Sequence, residues 1–278
     1  MIYKKSTILN GVFLLFVAVM LILLHGCSGK TSINLKNAKR PYIVFIVAED
    51  EYNAAETLPA FADEMESKYN LDCEVICGSE KRREGIVGME SLKEADLLVL
   101  YVRRRALPAE QMKYLRDYLD SGRPLVALRT TSHAFDTKGR VPAGCQEWKS
   151  FNTDVLGGNY NNHCKGESVT TVIVAAGAEN HPILKGIKTP FTSNSLLYIT
   201  SPLAQSTTLL LVGSIPNRET EPIAWTNRYK DARIFYTSLG SPDDFNNEIF
   251  RKMLVNAVFW ALDRPVPVLQ GDAVKIEK

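Results

Sequence analysis

Arg129-Thr130-Thr131-Ser132-His133 follows directly on the apolar run Leu125–Leu128, and nowhere else in the chain do a guanidinium, three hydroxyls and an imidazole share five residues. A histidine just past a buried strand can act as acid, base or metal ligand near neutral pH. Ser132 beside it is not thereby a nucleophile, because sequence neighbours rarely meet as nucleophile and base. Two further polar sets end apolar runs: Arg103-Arg104-Arg105 after Leu98–Val102, and Glu49-Asp50-Glu51-Tyr52 after Tyr42–Ala48. An arginine that ends a fully apolar strand needs a carboxylate partner, so Arg129 is expected to pair with Glu49 or Asp50. Such a network can be purely structural, or it can position groups against a polyol or carboxylate ligand. Trp148, Phe151, Tyr160, Trp225 and Tyr236 offer flat faces for a sugar ring, although each is also a natural core residue. The candidate catalytic groups are His133, Glu49 and His163. The candidate ligand contacts are Arg104, Arg129, Ser132, Trp148 and Tyr160.

Of the four histidines, His25 lies in an N-terminal apolar segment and His181, before Pro182, reads as a turn residue. No two of them stand at the i, i+4 helical spacing of a strong zinc motif. The residues therefore name neither a metal site nor a cofactor.

These groups can act together only if the elements before them end on one edge. Leu98–Val102 and Leu125–Leu128 read as strands covered on both faces. Between them Pro108 marks a helix start, Met112, Leu115 and Leu119 recur at helical spacing, and Gly122 marks the stop. A strand, helix and parallel strand make a right-handed crossover. Tyr42–Ala48 reads as a further buried strand and Asp72–Cys77 as a second strand, with a helix over Thr57–Tyr69 between them. Ligands of open α/β sheets bind beyond the carboxyl ends of the strands, so Glu49, Arg103 or Arg104, Arg129 and His133 should converge there. The stretch from Asp136 to Gly166 is too long for an ordinary connection. Its Trp148–His163 part should close over the convergence as a lid. Strands at Val169–Val174, Ser195–Ile199, Thr208–Val212, Pro222–Trp225 and Arg233–Thr237 follow, and a helix over Asn246–Leu262 closes the chain. The alternation predicts an α/β fold, a mostly parallel sheet flanked by helices with added antiparallel strands.

The two ends lie apart from this domain. Lys4 and Lys5, the apolar run Gly11–Leu24 and then Leu24-His25-Gly26-Cys27 have the pattern of an export signal. A cysteine directly after that glycine is similar to the bacterial lipobox, which predicts a signal over residues 1–26 and lipid modification of Cys27. Residues 27–40 read as a polar tether, residues 41–268 as the domain and 269–278 as a tail. Several acyl chains would hold the protein on a membrane, on the periplasmic or outer-membrane face. The chain carries 33 basic and 31 acidic residues, and losing Lys4 and Lys5 would make the two equal. That balance argues against a nucleic-acid partner, which requires a basic face. Cys73 and Cys77 lie too far apart along one strand to bridge, whereas Cys145 and Cys164 could pair. Nothing in the residues sets the oligomeric state.

Six segments in order, EDEYNAAETLP (Glu49–Pro59), YVRRRALPAEQ (Tyr101–Gln111), RTTSHAFD (Arg129–Asp136), LGGNYNNH (Leu156–His163), NHPILKGI (Asn180–Ile187) and IFYTSLGSPDDF (Ile234–Phe245), carry a resemblance. Together they resemble the ThuA-like, or trehalose-utilisation, family, over nearly everything after the tether. The resemblance implies a class I glutamine amidotransferase-like, flavodoxin-like three-layer sandwich and a role in carbohydrate metabolism, with a sugar or sugar derivative as partner. Two departures matter. Amidotransferases place a nucleophilic cysteine on a glycine-framed turn, where this chain reads Ala127-Leu128-Arg129-Thr130-Thr131-Ser132-His133, so glutamine hydrolysis through a thioester is not expected. Relatives usually carry Gly-His in the last motif, where this chain reads Gly240-Ser241-Pro242. A non-catalytic sugar-binding lipoprotein is therefore one alternative to a sugar-modifying enzyme. A metal-dependent hydrolase, with His133 and His163 converging on Glu49 or Asp50, is another.

Overall fold

Seven residues, Tyr42–Ala48, form β1, and every one after Tyr42 is buried. This continuous burial requires cover on both faces, and the sheet supplies it. The computed structural model describes residues 39–79, 83–165, 169–270 and 273–275. The expected signal, the modified Cys27 and nearly all of the tether lie outside the described residues.

The chain continues through α1 (Ala54–Tyr69), β2 (Asp72–Cys77), β3 (Leu97–Val102), β4 (Leu107–Pro108), α2 (Ala109–Asp120) and β5 (Leu125–Leu128). Short strands β6 (Cys145–Gln146) and β7 (Asn162–His163) lie in the long middle segment. Then come β8 (Thr170–Val174), β9 (Phe191–Ser193), β10 (Tyr198–Ile199), β11 (Thr208–Ser214), β12 (Glu221–Tyr229) and β13 (Ala232–Thr237). Helices α3 (Pro242–Asn246) and α4 (Glu248–Ala261) precede a terminal hairpin of β14 (Val268–Gln270) and β15 (Ala273–Lys275).

Nine strands make one sheet in the order β2-β1-β3-β5-β13-β12-β11-β8-β9. The first five are mutually parallel and the rest antiparallel. Alternate residues of each central strand point to opposite faces and enter two separate cores. Phe45, Val47, Val99, Tyr101, Val126 and Leu128 pack with Leu58, Phe61 and Met65 of α1 and Phe250, Met253 and Leu254 of α4. Val44, Ile46, Leu98, Leu100, Leu125 and Ala127 pack with Met112, Leu115 and Leu119 of α2. The result is three layers: helices, sheet, helix.

Three local expectations are corrected. Pro108 precedes α2 rather than starting it, because Leu107-Pro108 pairs with Cys145-Gln146. No single strand covers Ser195–Ile199: Ser193 and Ser195 both donate to the Asp244 carboxylate at 2.6 Å, which turns the chain out of the sheet. Tyr198-Ile199 then pairs with Asn162-His163 instead. Cys145 and Cys164 are both free thiols, and so are Cys73 and Cys77.

Candidate functional site

The turn Arg129–His133 after β5 is held by its own hydroxyls. Thr130 Oγ1 donates to the Val102 carbonyl (3.1 Å) and Thr131 Oγ1 to that of Leu100 (2.8 Å), which fastens the turn to β3. Arg129 itself has φ +43°, a left-handed conformation that a bulky residue adopts only where its surroundings hold it. Here the Tyr236 hydroxyl, 2.7 Å from the Arg129 carbonyl, supplies that hold. The segment after β3 runs alongside, with Arg104 N donating to the His133 carbonyl at 3.2 Å.

His133 and Arg104 thereby reach one pocket of about 220 Å3, lined also by Ser132, Asp136, Asn152 and Tyr160. The imidazole stacks on Tyr160, with ring centroids 4.6 Å apart and planes at 25°. Its Nδ1 lies 3.1 Å from Ser132 Oγ. Burial, and then the cations Arg104, Arg103, Lys138 and Arg129, push its pKa down to about 3, so the ring is neutral at physiological pH. The Tyr236 hydroxyl gives its proton to the Arg129 carbonyl. Ser132 Oγ and His133 Nδ1 share a hydrogen bond in which Nε2 takes no part. The arrangement suits a hydrogen-bond acceptor or a weak base.

The outer wall comes from residues 149–161, which supply Asn152, Thr153, Asn159, Tyr160 and Asn161. It includes a π-helical turn, Asn152–Leu156, of a kind often found at functional sites. Two residues of β12 hold that turn: Trp225 Nε1 donates to the Leu156 carbonyl (2.7 Å) and Asn227 Nδ2 to that of Val155 (3.0 Å). Gly158 is needed there, because a Cβ would lie 2.7 Å from the Trp225 ring.

Several sequence-derived candidates are placed elsewhere. Glu49 is 6% exposed, and its carboxylate accepts from the backbone N–H of Glu51, Tyr52 and Ala54 at 2.7–2.8 Å. It caps α1 and does not meet Arg129. The expected pairing of Arg129 with Glu49 or Asp50 is absent. Asp50 instead takes Arg103 and Arg83, and Glu51 also takes Arg103. The Arg129 guanidinium lies over Tyr52 (4.0 Å) and Tyr198 (4.9 Å) and donates to the Ser238 carbonyl at 2.8 Å. Trp148 is 5% exposed, packed on Phe151 and under Arg116, so its face is filled by core contacts and offers no platform. His163 is not among the residues lining the pocket, and its ring centre is 6.4 Å from that of Tyr198. Ser132, Tyr160, Arg104 and His133 do come together. The three asparagines and Lys138 escaped the reading of the sequence, although Asn159 and Asn161 flank Tyr160 in LGGNYNNH.

The last motif is a structural corner. Ser241 caps α3, and the Asp244 carboxylate accepts from Gly240 N, Ser241 N, Ser193 Oγ and Ser195 Oγ. His181 Nδ1 accepts from Ile183 N and closes its own turn. Among the described residues no three His, Cys, Asp or Glu side chains are grouped as metal ligands.

The family model for ThuA, described as trehalose utilisation, matches residues 44–261. No protein of curated function matches in sequence. A ThuA-like protein from Parabacteroides merdae is similar in structure, with TM-score 0.60 and 17% identity over 84% of this chain and 95% of its own. A cytoplasmic protein from Salmonella typhimurium gives TM-score 0.51 and 11% identity over 79% of this chain and 98% of its own. A β-galactosidase from Rahnella gives 0.52 and 13%, over 80% of this chain and 31% of that enzyme. At these identities the likenesses concern the fold.

Proposed function

The chain belongs to the ThuA family, which ties it to carbohydrate metabolism, and we propose that it holds a sugar or sugar derivative in the pocket beside His133. The observation that carries this reading is the neutral imidazole, anchored through Nδ1 by Ser132 and stacked on Tyr160, in a pocket rich in side-chain amides. Amides both donate and accept, as hydroxyls require, and an aromatic ring can cover an apolar sugar face. Nε2 is the group that would accept a proton from a sugar hydroxyl or from a carbon beside a sugar carbonyl. Arg104, whose Nη1 is held 3.0 Å from the Asp136 carbonyl, would orient the ligand. The protein would work as an exported lipoprotein, anchored to a membrane through Cys27.

Binding without turnover is the second reading. It is favoured by Ser241, which stands where the family resemblance leads one to expect histidine and is occupied in capping α3. One experiment addresses both. Thermal shift against a library of neutral, keto and charged sugars, with and without divalent metals, is expected to find a stabilising sugar whose effect is lost in His133→Ala. A turnover assay on that sugar then separates enzyme from binder. If no sugar stabilises the protein, the proposal falls.

A further inference from the structure

The pocket beside His133 is more positive than a neutral sugar needs. Arg104, Lys138 and Lys149 line it, and Asp136 is the one carboxylate among the lining residues. Lys149 is engaged by Glu147 at 3.3 Å, and the Arg104 fork is 4.0 Å from Asp136, a loose pairing. Lys138 is exposed and has no ion-pair partner among the described residues. Behind Tyr198 stands a fourth cation. Arg129 is 1% exposed, its Nε has no hydrogen-bond partner, and no carboxylate pairs with it among the described residues. A charge buried in such a medium is poorly screened, so its field extends into the pocket. Arg103, matched by Asp50 and Glu51, stands close by. The effect of these cations registers on His133, whose charged form they oppose.

The rest of the lining suits hydroxyls. Asn152, Asn159 and Asn161 present three amides, and Asn152, 8% exposed, has an Oδ1 without a partner. The volume, about 220 Å3, falls below the roughly 300–1,000 Å3 of sites for drug-sized ligands. That leaves room for one sugar ring and not two.

We propose that the pocket takes an anionic monosaccharide derivative, a single sugar ring bearing a carboxylate or phosphate. The anion would lie against Arg104 and Lys138, and the hydroxyls against the three amides and His133. This rests on reading the pocket as a sugar site. It carries a mechanistic consequence, because a bound anion would offset the positive field and raise His133 toward the range in which a base is effective.

The test is calorimetric titration of the full chain with matched sets, each a neutral hexose with its uronate, aldonate and 6-phosphate, and with acetate and inorganic phosphate alone. At least one charged sugar is expected to bind ten-fold or more tightly than its neutral parent, with the advantage shrinking at high salt. Arg104→Gln should remove most of that advantage. Lys138→Gln, at an exposed position, should reduce it even if the first variant misfolds. The uronate, aldonate and phosphate members show which anion is preferred. If neutral sugars bind as well as charged ones, the charge inference is overturned and the sugar reading stands. Acetate or phosphate binding as tightly as the charged sugars also overturns it. If no sugar of either kind binds, the sugar reading fails and this inference with it.

Discussion

His133 is a histidine kept neutral by its neighbours. The groups that face it come from every element packed against it: Arg103 and Arg104 from the end of β3, Arg129 from its own turn, Asp136 and Lys138 just after it, Tyr160 from the outer wall and Tyr198 from β10. Burial and the four cations favour the uncharged ring, and Asp136 alone opposes them. The pH consequence has a definite sign. In the unfolded chain the imidazole regains its ordinary value near 6.5, while in the folded protein it stays near 3. Between those values the unfolded state binds the extra proton, so stability present above about pH 6.5 is lost as pH falls toward 3. Urea unfolding followed from pH 7 to pH 4 should therefore show a shallower acid-side loss in His133→Gln than in the parent, by up to one proton. Parallel slopes for the two proteins would mean that the imidazole titrates normally in the fold. The motif RTTSHAFD marks His133 as reactive in the sequence, yet nothing in it shows that Tyr160 and Tyr198 pack against the ring, since both come from later segments.

At the scale of elements, apolar runs translate directly into strands. Tyr42–Ala48 and Leu125–Leu128 are read from the sequence with the bounds they have in the structure, because a strand covered on both faces must be apolar throughout. Asp72–Cys77, also read with its bounds, is a partly exposed edge strand. Polar residues at the ends of these strands are legible as a set, and their partners are not. Glu49 illustrates the difference. It follows β1 on the edge where ligands bind, but Asn53 enters α1 in a left-handed conformation and offers no side-chain cap, so the carboxylate folds back onto the N–H groups of Glu51 and Tyr52 in the turn and of Ala54 at the start of α1. A hydrogen bond to a charged acceptor contributes about 1.5–3 kcal/mol net of solvent, a lost cap costs about 1 kcal/mol, and water can take over the N–H groups of exposed Glu51 and half-buried Tyr52. Glu49→Ala, which removes three such contacts, should lower unfolding stability by about 2–4 kcal/mol, while Glu49→Gln, retaining an acceptor, should lose less. Chemical denaturation measures both. A Glu49→Ala protein with unchanged stability but abolished sugar binding would return Glu49 to the list of groups that act on ligand.

Over the whole molecule the two halves of the sheet divide the work. The parallel half ends in Arg104, Ser132 and His133, and the antiparallel half contributes Trp225 and Asn227, which fasten the outer wall. The sequence shows both halves but not their join, because that depends on β13 lying parallel to β5 and antiparallel to β12. No helix among the described residues is long and apolar enough to cross a bilayer. Loss of Lys4 and Lys5 with a cleaved signal would leave basic and acidic residues equal in number, so the mature chain has no net charge to draw it to anionic lipid. On the proposed lipoprotein reading, attachment would come from acyl chains on Cys27, of which two or more are needed for a stable hold. Cys27→Ala, expressed with its own signal in a bacterium that processes lipoproteins, should fail to incorporate labelled fatty acid and should leave the membrane pellet. A Cys27→Ala protein that still pellets after a high-salt wash would show that an uncleaved apolar segment, and not a lipid, holds the domain in place.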